Sequence, residues 1–264
     1  MVDYSNYKLI KVERDGKILN VIFNRPEAMN SVNREFHAEL ANIFADVQKD
    51  DDANVIVLTG AGKAFSAGGD IKGMDETGGH RNLRKTLWEG KKIINDILDL
   101  HKPIIAKVNG HAIGLGATIA LFCDVIFAAD HAKFGDPHVK VGIVAGDGGA
   151  IIWPALIGMC RAKEYLMTGD LISAKDAERM GLINRAVPAD KLDATVKEFA
   201  SRLAYGPIQA IEYTKVSVNK TLKAMTNLII DTSIAYEGHT FYTDDHKEAM
   251  KAFIEKREPK FTGN

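Results

Sequence analysis

Ile104-Ile105-Ala106-Lys107-Val108-Asn109-Gly110-His111-Ala112-Ile113-Gly114-Leu115-Gly116-Ala117-Thr118 passes from an apolar strand pattern, through a glycine-rich turn, into the start of a helix. Residues 104–108 form a short continuous apolar run, the pattern of a strand buried on both faces. The small residues of the turn let main-chain N–H groups approach a ligand with no side chain in the way. The first N–H groups of the following helix lack intrahelical partners and carry the positive end of its dipole. Such a site suits a carbonyl oxygen that gains negative charge. Gly114-x-Gly116 is not a dinucleotide fingerprint, because no glycine follows at the required offset and no acidic residue ends the next strand in the right place.

The same layout occurs once upstream. The apolar run 55–59 ends in Gly60-Ala61-Gly62, and a second turn follows, Ala64-Phe65-Ser66-Ala67-Gly68-Gly69-Asp70-Ile71-Lys72. Further out, strands are predicted over 8–14 and 17–23, separated by the two-residue hairpin signal Asp15-Gly16. Asn30-Ser31 is expected to open a helix with Phe36, Leu40, Phe44 and Val47 on one face. A helix over 81–98, another near 116–122 and a strand over 125–128 continue the alternation, which argues an α/β architecture. Beyond Asp190 the strand signal fades, and 191–204, 208–220, 222–236 and 244–256 all read as helices. No low-complexity segment, linker or fixed-period repeat divides the chain.

Composition narrows the function classes. At 264 residues and 46% hydrophobic content the chain can bury a sizeable core. A net charge of −1 gives no general pull toward nucleic acid or membrane. No apolar run reaches the roughly 20 residues that a spanning helix needs. The polar stretch 1–11 has no apolar core of a signal peptide, so a reducing cytoplasm is the expected location. Cys123 and Cys160, the only cysteines, lack metal-ligand or redox spacing, and Cys123 lies in an apolar run that argues a buried thiol.

Several segments, in order from about residue 8 to 261, resemble the crotonase (enoyl-CoA hydratase/isomerase) superfamily. They are Phe23-Asn24-Arg25-Pro26-Glu27-Ala28-Met29-Asn30, the turn 65–72, Lys102-Pro103-Ile104-Ile105-Ala106-Lys107-Val108-Asn109-Gly110, Gly169-Asp170-Leu171-Ile172-Ser173-Ala174, and the C-terminal pattern from Glu248 to Phe261. The resemblance implies a spiral of ββα turns over residues 1–190 that carries the active site. It implies a helical region over 191–264 that builds a trimer or a dimer of trimers. It also implies that the Gly69 and Leu115 N–H groups form an oxyanion hole. Glu27, Ala28, Met29, Ala67, Gly69, Asp70 and Ile71 would line the path of coenzyme A, with Asp70 near the adenine. CoA would arrive as part of the substrate, with no tightly bound cofactor.

Two positions depart from the family pattern. Hydrating members use two glutamates around one water, and this chain has Thr118 and His138 there. A threonine hydroxyl is no general base at neutral pH without an activator. Asp136-Pro137-His138 is followed by Gly146-Asp147-Gly148-Gly149. Histidine, with an ordinary pKa of about 6.5, can accept a proton at working pH, and a carboxylate such as Asp147 would orient it. That pair resembles the dyad of members that hydrolyse a C–C bond of a β-diketone. Asp147 could instead cap a helix over 150–156. Glu237 could be a third acid, although a solvated helix face is the better reading for it. The other histidines are scattered without ligand spacing, so no metal is expected. The expected function is an enolate-type reaction on an enoyl- or acyl-CoA thioester. The alternatives are β-diketone hydrolysis by His138 and Asp147, and a non-catalytic CoA-binding or assembly protein. A nucleic-acid partner is not expected.

Overall fold

Ile10–Asp15 (β1) and Ile18–Phe23 (β2) form the expected hairpin, displaced by one residue. Asp15 pairs with Ile18, so Gly16 and Lys17 make the turn, and Gly16 adopts the left-handed φ of +59° that glycine tolerates best. These observations come from a computed structural model, which describes residues 2–70 and 80–264. Ile71 and Lys72, expected along the CoA path and in the first turn, lie outside the described residues.

The first helix, α1 (Arg34–Gln48), begins later than Asn30-Ser31 suggests. Met29 and Asn30 both take left-handed φ values, 52° and 54°, which no helix start uses. The Asn30 side chain is spent elsewhere, donating to the carbonyls of Ala61 and Ala64 and so stapling the first glycine-rich turn in place. Asn33 caps α1 instead, accepting from the Phe36 N–H at 2.9 Å. Phe36, Leu40, Phe44 and Val47 are all buried, as their spacing predicts.

The main sheet has the order β1-β2-β3-β4-β6-β9, with β3 (Val55–Gly60), β4 (Ile104–Val108), β6 (Val125–Ala129) and β9 (Arg185–Val187) running parallel to β2. Alternate residues of one strand face opposite ways. Ile56 and Leu58 join a core with α1 and with α2 (His80–Asp99). Val55 and Val57 face the other way, against α7 (Leu192–Ala204), whose Leu192, Val196, Ala200 and Ala204 cover that side. A small second sheet joins β5 (Ala112–Ile113), β7 (Lys133–Gly135) and β8 (Ile172–Ser173). Strands of two or three residues carry too little periodicity to be read from sequence.

Between β5 and β6 lies α3 (Leu115–Leu121). Helices α4 (Gly149–Ile157), α5 (Met159–Thr168) and α6 (Ala174–Met180) follow. The two helices expected over 208–220 and 222–236 are one, α8 (Ile208–Thr240), 33 residues long. Nothing between Lys220 and Leu222 can break it, since the first glycine after Ile208 is Gly238. Its buried residues Thr226, Ile230, Ser233 and Glu237 recur every three or four positions, one stripe along the helix. The chain ends with α9 (Asp244–Glu255). Cys123 is buried and Cys160 exposed. Among the described residues no helix is long and apolar enough to cross a membrane.

Candidate active site

The two glycine-rich turns meet. A side chain added at Gly68 would strike the Ile113 carbonyl at 2.9 Å, and one at Gly114 would lie 3.6 Å from the Gly68 Cα. Val32 pairs with the first turn, giving its N–H to the Gly68 carbonyl and receiving the Asp70 N–H. In extended backbone successive N–H groups point to opposite sides. The Gly69 N–H is therefore turned away from Val32. On the second turn Gly114 combines φ +54° with ψ −128°, a conformation open in practice to glycine alone. The Gly114 N–H still donates to the Gly135 carbonyl at 2.8 Å, and beyond the twist the next amide, at Leu115, the first residue of α3, is left without that ladder. Neither the Gly69 nor the Leu115 N–H donates to any acceptor among the described residues. Both residues line one cavity of about 560 Å³.

His138, Asp147 and Glu237 line the same cavity. His138 sits in a 3-10 turn over Pro137–Val141, and its ring approaches Gly114, whose Cβ would lie 3.7 Å from the imidazole Cε1. The carboxylate held tightly by His138 is not Asp147 but Asp136, which accepts from Nδ1. Proline keeps the preceding Asp136 out of the helical region, so the 3-10 turn starts at Pro137 with Asp136 at its N-terminal end. Nε2 stands 3.8 Å from Asp147 Oδ2, an ion-pair separation rather than a hydrogen bond. Asp147 does not cap α4, which begins after Gly148 without a side-chain cap. Instead its Oδ1 accepts from the buried Thr118 hydroxyl at 3.4 Å. Glu237, expected on a solvated face, is buried with Oε2 unpartnered among the described residues.

Charge sorts these groups. Burial works against a charged ring at His138, but the anions Asp136 and Asp147 outweigh it and push its pKa up to about 10. The neighbouring carboxylates thus favour the protonated ring, which makes His138 a poorer proton acceptor near neutral pH than a lone histidine would be. Burial raises Asp147, with the charge of His138 pulling the other way. Burial, reinforced by the charge of Asp147, raises Glu237 well above the ordinary carboxyl range and so favours its protonated form.

Of the residues expected along a CoA path, Gly69 and Asp70 line the cavity. Ala67 N–H donates to the Met29 carbonyl at 3.0 Å, joining the 26–28 turn that carries Glu27 and Ala28 to the first glycine-rich turn. Met29 is exposed. Arg25 Nη1 holds the Asp70 carboxylate at 2.6 Å. Sequence reasoning missed Asp136, although the Asp-Pro-His spacing was a signal for it. It also passed over His37, which lines the cavity from α1.

Comparison with known proteins gives consistent results. The family profile described as enoyl-CoA hydratase/isomerase matches residues 13–264. A short-chain enoyl-CoA hydratase of Clostridium acetobutylicum is 38% identical over 251 residues, 93% of this chain and 94% of that protein. The crystal structure of an enoyl-CoA hydratase/isomerase from Mycobacterium paratuberculosis superposes with a TM-score of 0.90 at 36% identity, covering 94% of this chain and 99% of the other. A β-diketone hydrolase from the cyanobacterium Anabaena superposes with a TM-score of 0.84 at 32% identity, covering 92% of this chain and 96% of the other.

Proposed function

Because the chain belongs to the enoyl-CoA hydratase/isomerase family, we propose that it forms and reprotonates the enolate of an acyl-CoA thioester, with the Gly69 and Leu115 N–H groups holding the enolate oxygen. The activity is of the acyl-CoA hydratase/isomerase type. The observation that carries the reading is the pair of unengaged amides opening on a cavity beside a cationic histidine. Fixed donors aimed at a developing negative charge are the largest single aid to such a reaction. His138, as a cation, adds to that field. Glu237, whose burial favours the protonated form, gives a proton to carbon and is recharged by the base that took the first one, while Asp147 balances the charge of His138. Thr118 offers no carboxylate and is turned on Asp147, which favours moving a double bond over hydration by two glutamates.

Glu27, Ala28, Met29, Ala67, Gly69, Asp70 and Ile71 would accompany the CoA moiety, which enters as part of the substrate rather than as a bound cofactor. Exposed apolar side chains on the helical region, Leu228 and Tyr236 on α8 and Ile254 on α9, support a trimer or a dimer of trimers built by residues 191–264. The unpaired cysteines Cys123 and Cys160 agree with a reducing cytoplasm.

A second reading has its own support. The 32% identical β-diketone hydrolase was solved with (S)-3-oxocyclohexyl acetic acid bound, and the histidine–carboxylate cluster here resembles the dyad of such members. In that reaction water attacks one ketone, the C–C bond to the neighbouring carbon breaks, and its electron pair leaves as an enolate held by the same two amides.

One assay separates the readings. A 3-enoyl-CoA should gain conjugated-enone absorbance with the parent protein. Leu115→Pro should slow this by about 10²–10³, the usual cost of losing one oxyanion donor. Proline is tolerated at the first position of a helix, so α3 should survive the change. No turnover of the enoyl-CoA, with ring opening of a cyclic β-diketone, would replace the first reading by the second. An active Leu115→Pro protein would remove the oxyanion assignment altogether.

A further inference from the structure

Enolate formation needs a base, and both ring nitrogens of His138 face carboxylates, Asp136 at Nδ1 and Asp147 3.8 Å from Nε2, which favour the protonated ring. A second histidine faces the same cavity. His37 is buried on α1, and its Nδ1 lies 3.0 Å from Glu89 Oε2 on α2. Arg34, one turn earlier on α1, holds the same carboxylate at 2.5 Å, and Lys85 stands 3.7 Å from its other oxygen. Burial alone would raise the Glu89 carboxyl, but the hydrogen bonds from His37 and Arg34 overcome it and hold it at about 2. An ionised carboxylate only accepts. The ring proton is therefore fixed on Nδ1, and in the uncharged ring the lone pair belongs to Nε2, on the opposite edge. No other group among the described residues takes that nitrogen. A carboxylate that fixes one ring nitrogen so that the other can take a proton is the division of labour found in hydrolytic triads.

We propose that His37 is a catalytic residue, the general base of this cavity, with Glu89 as its positioning residue. Resting on the thioester reading above, the step is a proton transfer. The C–H bond next to the thioester carbonyl breaks, and its electron pair moves onto the oxygen held by Gly69 and Leu115. The proton goes to His37 Nε2, giving an imidazolium that Glu89 stabilises. Return of the proton from His37 to carbon closes the cycle without an oxidant or reductant, as does delivery from Glu237 followed by transfer of the His37 proton to Glu237. The charged groups facing His37 are Arg34 from its own helix, Lys85 and Glu89 from α2, and Asp147 from the turn before α4. The two histidines then have opposite duties: His138 supplies positive charge and His37 a lone pair.

The test uses the full chain labelled with 15N-histidine, without substrate, and then with butyryl-CoA in D2O, reading deuterium uptake at the α-carbon by mass spectrometry. The expected spectrum shows His37, assigned by its loss in His37→Gln, with hydrogen on Nδ1 in the uncharged ring. Glu89→Gln should erase that preference. Uptake should fall by about a hundredfold or more in His37→Gln, the usual worth of a positioned base, and less in Glu89→Gln. Hydrogen on Nε2 in the parent, or uptake in a folded His37→Gln within about twofold of the parent, overturns the proposal. The two ideas fail separately. A parent inert toward thioesters but keeping the Nδ1–H form counts against the thioester alone. The same variants are then run on a cyclic β-diketone, where His37 would take the proton of the attacking water. There, unimpaired turnover by His37→Gln would also overturn it.

Discussion

A histidine between two buried carboxylates has little freedom in its proton. Asp136 touches the His138 Nδ1, and Asp147 lies 3.8 Å from Nε2, so both edges of the ring meet negative charge. Replacing Asp136 by Asn keeps the shape and removes the anion at contact range. The His138 titration midpoint should then fall from about 10 toward the ordinary value of about 6.5. Following the ring Cε1–H resonance against pH checks this, and an unchanged midpoint would mean that Asp136 is not the controlling charge. At this scale the sequence was only partly legible. Gly69, Leu115, His138 and Asp147 were singled out by motif position, and the fold brings all four to the lining of one cavity. What could not be read was which carboxylate meets which nitrogen. Asp147 is nine residues from His138 and Asp136 only two, and the fold gives the close contact to the nearer one. Glu237 was misjudged because a helix face that looks solvated along α8 is turned against Gly146, where an added Cβ would lie 2.6 Å from the Glu237 Cβ.

Among the elements, α1 shows how packing sets chemistry. Phe36 is fully buried, with its ring edge-on to Phe23 at a centroid distance of 5.1 Å. Consecutive residues on a helix are about 100° apart, so fixing Phe36 on the sheet also fixes the direction in which His37 leaves the helix. Phe36→Ala should cost about 3–5 kcal/mol, the range for removing a buried aromatic side chain, read as a lower urea midpoint at unchanged slope. A loss below about 1 kcal/mol would show that the site collapses onto the cavity and that α1 is not held by this contact. The strong elements were legible: α2 matches its predicted span through a long amphipathic repeat, and β3 and β4 match theirs through unbroken apolar runs. The start of α1 was not, since the left-handed pair Met29-Asn30 makes a loop staple out of a residue that looks like a cap. Nor was the continuity of α8, where only the absence of a breaker spoke for a single helix.

For the whole molecule, the proton-holding cluster makes folding stability depend on pH. The native state raises His138 to about 10 from an unfolded value near 6.5, so it binds a proton there that the unfolded chain has released. That contribution is complete below about pH 6.5 and drains away as pH rises toward 10. Glu237 and Asp147, raised from ordinary carboxyl values, act in the same sense from a lower starting pH. Glu89 acts oppositely: held at about 2, it stabilises above its unfolded value and loses that contribution as pH falls below about 4.5. Stability should therefore decline on both sides, with an alkaline limb already visible between about pH 7 and 9, before tyrosines and lysines titrate. The decline over that window should be of the order of a few kcal/mol, since one unit of pKa shift corresponds to about 1.4 kcal/mol. Urea midpoints measured at several pH values would trace it. Asp136→Asn should flatten the limb, because a ring with a lower native pKa binds less extra proton than the unfolded chain releases. A midpoint that stays level or rises from pH 7 to 9 in the parent would mean that the histidine is not charged in the folded protein, and the cationic half of the site would have to be abandoned.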